Sequence, residues 1–99
     1  ETSWLAFPLT ISSDAPFTRL ELVKYLESSG IQTRPIFTGN VLRQPAFKKI
    51  NYSKHIPIDD FQVANNIMKN SFLIGCNHGL NDQHINKIQQ TFLSFLQKI

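Results

Sequence analysis

Between Thr33 and Phe47 this 99-residue chain gathers its densest set of side chains able to recognise a ligand. Arg34 and Arg43 stand among Asn40, Gln44, Phe37 and Phe47, with Gly39 between Pro35 and Pro45. An arginine's planar fork pairs bidentately with a carboxylate or phosphate. A glycine lets backbone amides approach a ligand closely, and loops carry function more often than cores do. A surface loop with solvated arginines and anchoring phenylalanines has the same composition, and the residue types alone leave both readings open.

Nothing elsewhere amounts to a catalytic set. His55 falls in the most weakly patterned stretch and reads as solvated. His78 sits in a turn, and His84 stands three residues after Asn81, where its ring can hydrogen-bond near a helix start. No pair of histidines has metal-ligand spacing, so no metal site is expected. Cys76, the single cysteine, closes an apolar run and reads as a small buried residue rather than a nucleophile. There is no phosphate-binding P-loop, and Gly75 to Gly79 lacks the spacing of a dinucleotide fingerprint.

The elements that must position the Arg-rich loop follow from periodicity. Leu5, Phe7, Leu9 and Ile11 alternate through Trp4–Ile11, which predicts a strand with one face in a core. Pro8 lacks a ladder donor, which places that strand at an edge or leaves its amide side unpaired there. Thr18 with Glu21 forms a capping-box pattern, Leu22, Val23 and Leu26 make a stripe, and Gly30 is a stop, which predicts a helix over 19–29. Ile31–Phe37 reads as extended, because Pro35 keeps Arg34 out of the helical region. Thr38-Gly39-Asn40 breaks the strand, and Pro45 limits Val41–Lys49 to a loop with a turn or two of helix. Asn51–Pro57 reads as surface loop. Asp59 or Asp60 is expected to cap a helix carrying Phe61, Ala64 and Ile67-Met68. Phe72–Cys76 reads as a buried strand, and Asn81 as the cap of a last helix with Ile85, Ile88, Phe92, Phe95 and Ile99 on one face. The order predicts an α+β fold, a small sheet of about three strands covered by helices.

Composition excludes several classes. The hydrophobic fraction of 41% is that of a folding chain, and 99 residues suit one domain. No apolar run approaches the roughly 20 residues that span a bilayer, so no membrane association is expected. A lone cysteine excludes an internal disulfide and suits a reducing, cytoplasmic setting. The net charge of +3 comes from scattered Lys and Arg rather than a stripe, which argues against nucleic acid. A chain that opens on Glu1-Thr2-Ser3 and enters a strand at once reads as an excised fragment.

The run Gly30-Ile31-Gln32-Thr33-Arg34, then Phe37-Thr38-Gly39-Asn40 and Arg43-Gln44-Pro45-Ala46-Phe47, resembles the sugar 3-dehydrases of the DegT/DnrJ/EryC1/StrS group. It is most similar to those that act on CDP-4-keto-6-deoxyglucose in lipopolysaccharide biosynthesis. The likeness reaches back to Trp4, Phe7, Pro8 and Glu21–Leu26, and forward to Asn70–Gly75 and Gly79-Leu80. One departure is His78, where relatives usually carry proline. The resemblance implies that residues 1–99 are the C-terminal small domain of a fold-type-I enzyme, with the large cofactor-binding domain absent. It implies pyridoxal or pyridoxamine phosphate, and in some members a [2Fe–2S] cluster, held by that missing domain. It also implies a nucleotide-linked 4-keto-6-deoxyhexose as substrate, a homodimeric parent and, in the members that hold a cluster, a reductase partner. Arg34 and Arg43 would then hold sugar or phosphate oxygens, Asn40 and Gln44 would read hydroxyls, Phe37 and Phe47 would wall the site, and Gly39 would let backbone amides approach the substrate. No catalytic residue is expected in the chain itself. A stand-alone binding module for a small ligand or RNA is the competing reading. A third is an interaction domain that pairs through Phe92, Phe95 and Ile99.

Overall fold

The structure, a computed structural model, describes residues 4–47, 49 and 61–99. Its first helix, α1 (Arg19–Ser28), starts as its sequence dictates. The Thr18 hydroxyl accepts from the Glu21 amide, and the Glu21 carboxylate accepts from the Thr18 amide at 2.7 Å. Gly30, at φ +77°, ends the element. Its amide bonds the Glu27 carbonyl, and the Ile31 amide bonds the Leu26 carbonyl at 2.9 Å, the paired bonds of a Schellman end. That end turns Ile31 back into the core beside Leu22 and Leu26.

Strands β1 (Ala6–Thr10), β2 (Thr33–Pro35) and β3 (Ser71–Gly75) form one antiparallel sheet in the order β1-β3-β2. The most apolar strand, β3, lies in the centre. Pro8 lies on an edge strand, where a missing donor is tolerated. Phe7 pairs with Ile74 and Leu9 with Phe72, so these four residues share a face. Phe72 and Ile74 are buried there with Ile11, Leu22, Leu26, Ile31 and Phe95. Phe95 comes from α3 (Asp82–Leu96), and its ring meets Phe17 edge-on at 5.1 Å. Leu26 is fully buried, which contributes about 1.5–3 kcal/mol. The opposite face presents Ala6, Pro8, Arg34 and Leu73, none of them buried, while Ser71 at its far end is fully buried.

Three expectations need correction. The alternation through Trp4–Ile11 meets the core only at Leu9 and Ile11, while Phe7 is 53% exposed and Leu5 88%. The second strand is three residues, not seven, because Pro35 donates no hydrogen bond and the chain turns at once beyond it. In α3 only Ile88, Phe92 and Phe95 meet the core. Ile85 is exposed near the start of the helix, and Ile99 lies beyond its end.

The segment around Pro45 forms two 3-10 turns, Val41–Arg43 and Pro45–Phe47, with the proline opening the second, where its missing N–H goes unneeded. The next helix, α2 (Gln62–Asn70), has Phe61 at its N-cap without a side-chain bond. Asp59, Asp60, His55 and the 51–57 loop lie outside the described residues. The last helix is capped by Asn81 as expected, and His84 takes the partner's place in the box, its Nδ1 accepting from the Asn81 amide at 3.2 Å. Among the described residues no helix is long and apolar enough to cross a membrane.

Candidate functional site

The loop that leaves β2 is built from consecutive tight turns. The Phe37 amide bonds the Pro35 carbonyl, the Gly39 amide that of Ile36, and the Asn40 amide that of Thr38, all within 2.7–2.9 Å. Two residues take positive φ: Gly39 at +65° and Phe37 at +38°. Glycine accepts such a conformation without penalty, whereas a phenylalanine held there is strained. The turn thrusts the Phe37 ring outward to 83% exposure.

Upstream, α1 holds the start of β2. The Glu27 carboxylate accepts from the Thr33 amide at 2.6 Å and from the Thr33 hydroxyl at 2.8 Å. These two bonds keep the Glu27 carboxyl below its ordinary value of 4.5, the Arg34 charge acts in the same sense, and the cost of desolvation opposes both. Arg34 is exposed, and its Nη1 donates to the Thr33 carbonyl at 2.9 Å.

Downstream, α2 holds the loop from below. Asn40 is 2% exposed, and both ends of its carboxamide are engaged. Its Oδ1 accepts from the Leu42 amide at 3.1 Å, and its Nδ2 donates to Asn65 Oδ1 at 2.8 Å. Arg43 Nε donates to the same Asn65 oxygen at 2.6 Å. One turn along α2, Met68 lies so close to Gly39 that a Cβ there would run into its Cα and Cβ.

The seven residues singled out in sequence therefore divide. Arg34 and Phe37 line a groove of about 520 Å³ at the open end of the sheet, with Ile31, Leu73, Leu80 and Ile88 among its apolar walls and His84 and Lys87 beside them. Gly39, Asn40 and Arg43 gather on α2 instead. Gln44 and Phe47 are half-buried, and their amides bond the Val41 and Gln44 carbonyls at 3.0 Å. Asn65 and Glu27 escaped sequence reading. Each is an ordinary polar helix residue until the fold brings its partner near. Among the described residues no cluster of His, Cys, Asp or Glu could hold a metal ion.

A profile of the DegT/DnrJ/EryC1/StrS aminotransferase family matches residues 1–93. The chain belongs to that family. It is 38% identical over 99 residues to dTDP-4-dehydro-2,6-dideoxy-D-glucose 3-dehydratase of Saccharopolyspora spinosa, a match covering 99% of this chain and 21% of that protein. It is 34% identical over 95 residues to the lipopolysaccharide biosynthesis protein RfbH of Salmonella typhimurium, covering 96% of the chain and 21% of the relative. The fold matches the Escherichia coli GDP-4-keto-6-deoxy-D-mannose-3-dehydratase with bound hydrated PLP at a TM-score of 0.70 and 33% identity, over 92% of this chain and 22% of that one. The three-stranded sheet with its helices is thus a piece of this family's fold, and the chain spans about a fifth of the length of the curated relatives it matches.

Proposed function

We propose that this family member is the C-terminal domain of a nucleotide-sugar 3-dehydratase of lipopolysaccharide deoxysugar biosynthesis, and that Thr33–Phe47 is its substrate-side loop. The observation that carries the reading is the match to sugar 3-dehydratases along nearly the whole chain, the loop included. Geometry supports it. A loop braced by α1 on one side and α2 on the other presents Arg34, Phe37 and Arg43 at its surface. In this reading Arg34, Arg43 and Gln44 meet sugar or phosphate oxygens of a nucleotide-linked 4-keto-6-deoxyhexose, and Phe37 and Phe47 wall them. Gly39 and Asn40 fix the loop's shape from beneath.

The described residues do not fit a B6 cofactor. The groove walls are chiefly apolar, and its cations, Arg34 and Lys87, are exposed rather than gathered into a phosphate cradle. Pyridoxal or pyridoxamine phosphate therefore belongs, in this reading, to the remainder of a longer protein, where it supplies an electron sink for loss of the C3 hydroxyl. One cysteine cannot hold a [2Fe–2S] cluster, so such a cluster, the reductase that would feed it and the homodimer contacts are assigned to that remainder too. A lone cysteine also agrees with a cytoplasmic setting.

The test is kinetic and uses the full-length enzyme. Arg34→Ala and Arg43→Ala should each raise KM for the nucleotide sugar about tenfold, the effect of losing one charge-assisted hydrogen bond. The cofactor's absorbance should stay as in the unaltered enzyme. Unchanged kinetics in both variants, or a full-length protein that binds no B6 cofactor, would overturn the reading.

A further inference from the structure

Asn65 has no place in the Arg-rich motif, yet it holds two of that motif's members. We propose that Asn65 is a positioning residue that aims Arg43 at the substrate. This inference rests on the reading of Arg43 as a substrate contact.

The geometry is that of a fixed acceptor with two donors. Asn65 Oδ1 receives Asn40 Nδ2 at 2.8 Å and Arg43 Nε at 2.6 Å, which uses both lone pairs of one carbonyl oxygen. The backbone that carries the acceptor is held in the first turn of α2, where the Asn65 backbone N–H donates to the Phe61 carbonyl at 2.9 Å. The other donor is anchored as well, since Asn40 is buried and its Oδ1 is tied to the Leu42 amide. Arg43 is thus the exposed member of a three-residue relay whose two other members are fixed.

Holding Nε matters for a particular reason. The guanidinium is planar, so a bond at Nε fixes the plane as well as the position of the group's outer end. A lysine has no counterpart to Nε and would keep the charge but lose the aim. Met68 reinforces the arrangement. It lies three residues after Asn65 on the same side of α2 and abuts Gly39, so the loop's register on the helix is set at two points.

The experiment is a double-mutant cycle in the full-length enzyme, read as KM and kcat for the nucleotide sugar with thermal melting alongside. Asn65→Ala should raise KM about tenfold, the scale of a lost hydrogen bond to a charged group, with kcat changed far less. Asn65→Asp keeps the acceptor and should recover most of that loss. In an Arg43→Ala background, Asn65→Ala should add little to KM, because the group it aims is gone, and the lost bond to Asn40 is then read in the melting temperature. Arg43→Lys should behave like Arg43→Ala, a check that leaves α2 untouched. The proposal is overturned if the Asn65 and Arg43 penalties multiply, if Asn65→Ala leaves KM alone, or if Arg43→Lys keeps the native KM. Should Arg43→Ala itself leave KM unchanged, the substrate role of Arg43 falls as well. That result separates the two failures.

Discussion

Two residues of the β2 loop take left-handed backbone for opposite reasons. Gly39 does so beneath the loop, where Met68 leaves no room for a side chain. Gly39→Ala should therefore lose more than the roughly 1–2 kcal/mol of left-handed strain, read as a lower urea midpoint. Met68→Ala should not rescue it, because the obstructing atoms are Met68 Cα and Cβ, which alanine keeps. Phe37 takes its positive φ at the surface, where a strain of about 1–3 kcal/mol has no compensating burial. Phe37→Gly should consequently leave the melting temperature unchanged or raised, although it deletes a whole aromatic ring. In the full-length enzyme the same variant should weaken substrate binding. A drop in stability instead would mean that the ring is packed in the longer protein.

The elements were legible where they are set locally and illegible where a distant partner decides. Thr18 with Glu21, Gly30 as a stop and Asn81 as a cap all act within one turn of helix, and each stands as its spacing dictates. The ends of β1 and α3 depend on how far the other layer extends, so Leu5, Phe7 and Ile85 carried the right pattern without finding cover. Asn65 lies 25 residues from Asn40 and 22 from Arg43, beyond the reach of any local rule. Arg19 is similar. Its Nη1 donates to the Met68 and Ser71 carbonyls at 2.9 and 3.2 Å, tying the start of α1 to the junction of α2 and β3. Arg19→Ala should cost about 1.5–3 kcal/mol, the range for hydrogen bonds to a charged group, visible as a lower melting temperature.

Acid tests the ties of α1 in a different way. The Glu27 carboxyl is held below 4.5 by the Thr33 amide and hydroxyl, and Glu21 below 4.5 by the Thr18 amide and hydroxyl. A carboxyl whose value is depressed by folding stabilises the native state above its unfolded value, and that stabilisation fades as pH falls through the folded one. Melting temperature should therefore hold steady near neutrality and decline as pH drops below about 4.5. Glu27→Gln should lower the neutral-pH value and flatten part of that decline, so that the two melting curves converge at low pH. Parallel curves would remove Glu27 from the acid response.

At the scale of the whole molecule the decisive feature is that α1 and α3 build the core on one face of the sheet. Phe72 and Leu73 are adjacent in the central strand and point to opposite faces. Phe72 is 1% exposed against α1 and α3, while Leu73 is half-buried on the side with Ala6, Pro8 and Arg34. Truncating a buried phenylalanine removes about 3–5 kcal/mol. A domain of this size has about 5–15 kcal/mol in total, so Phe72→Ala should remove a large share of that stability and lower the melting temperature of the chain, expressed alone, markedly. Leu73→Ala in the same chain should be milder than Phe72→Ala, because only part of its surface is covered. The informative comparison is with the full-length enzyme, measured by the rate of proteolysis within this domain. If the Leu73→Ala penalty grows there toward that of Phe72→Ala, the rest of the protein packs on the second face and completes the core. If it stays mild, the sheet keeps that face open and the substrate loop stands on a domain built from one layer of helices alone.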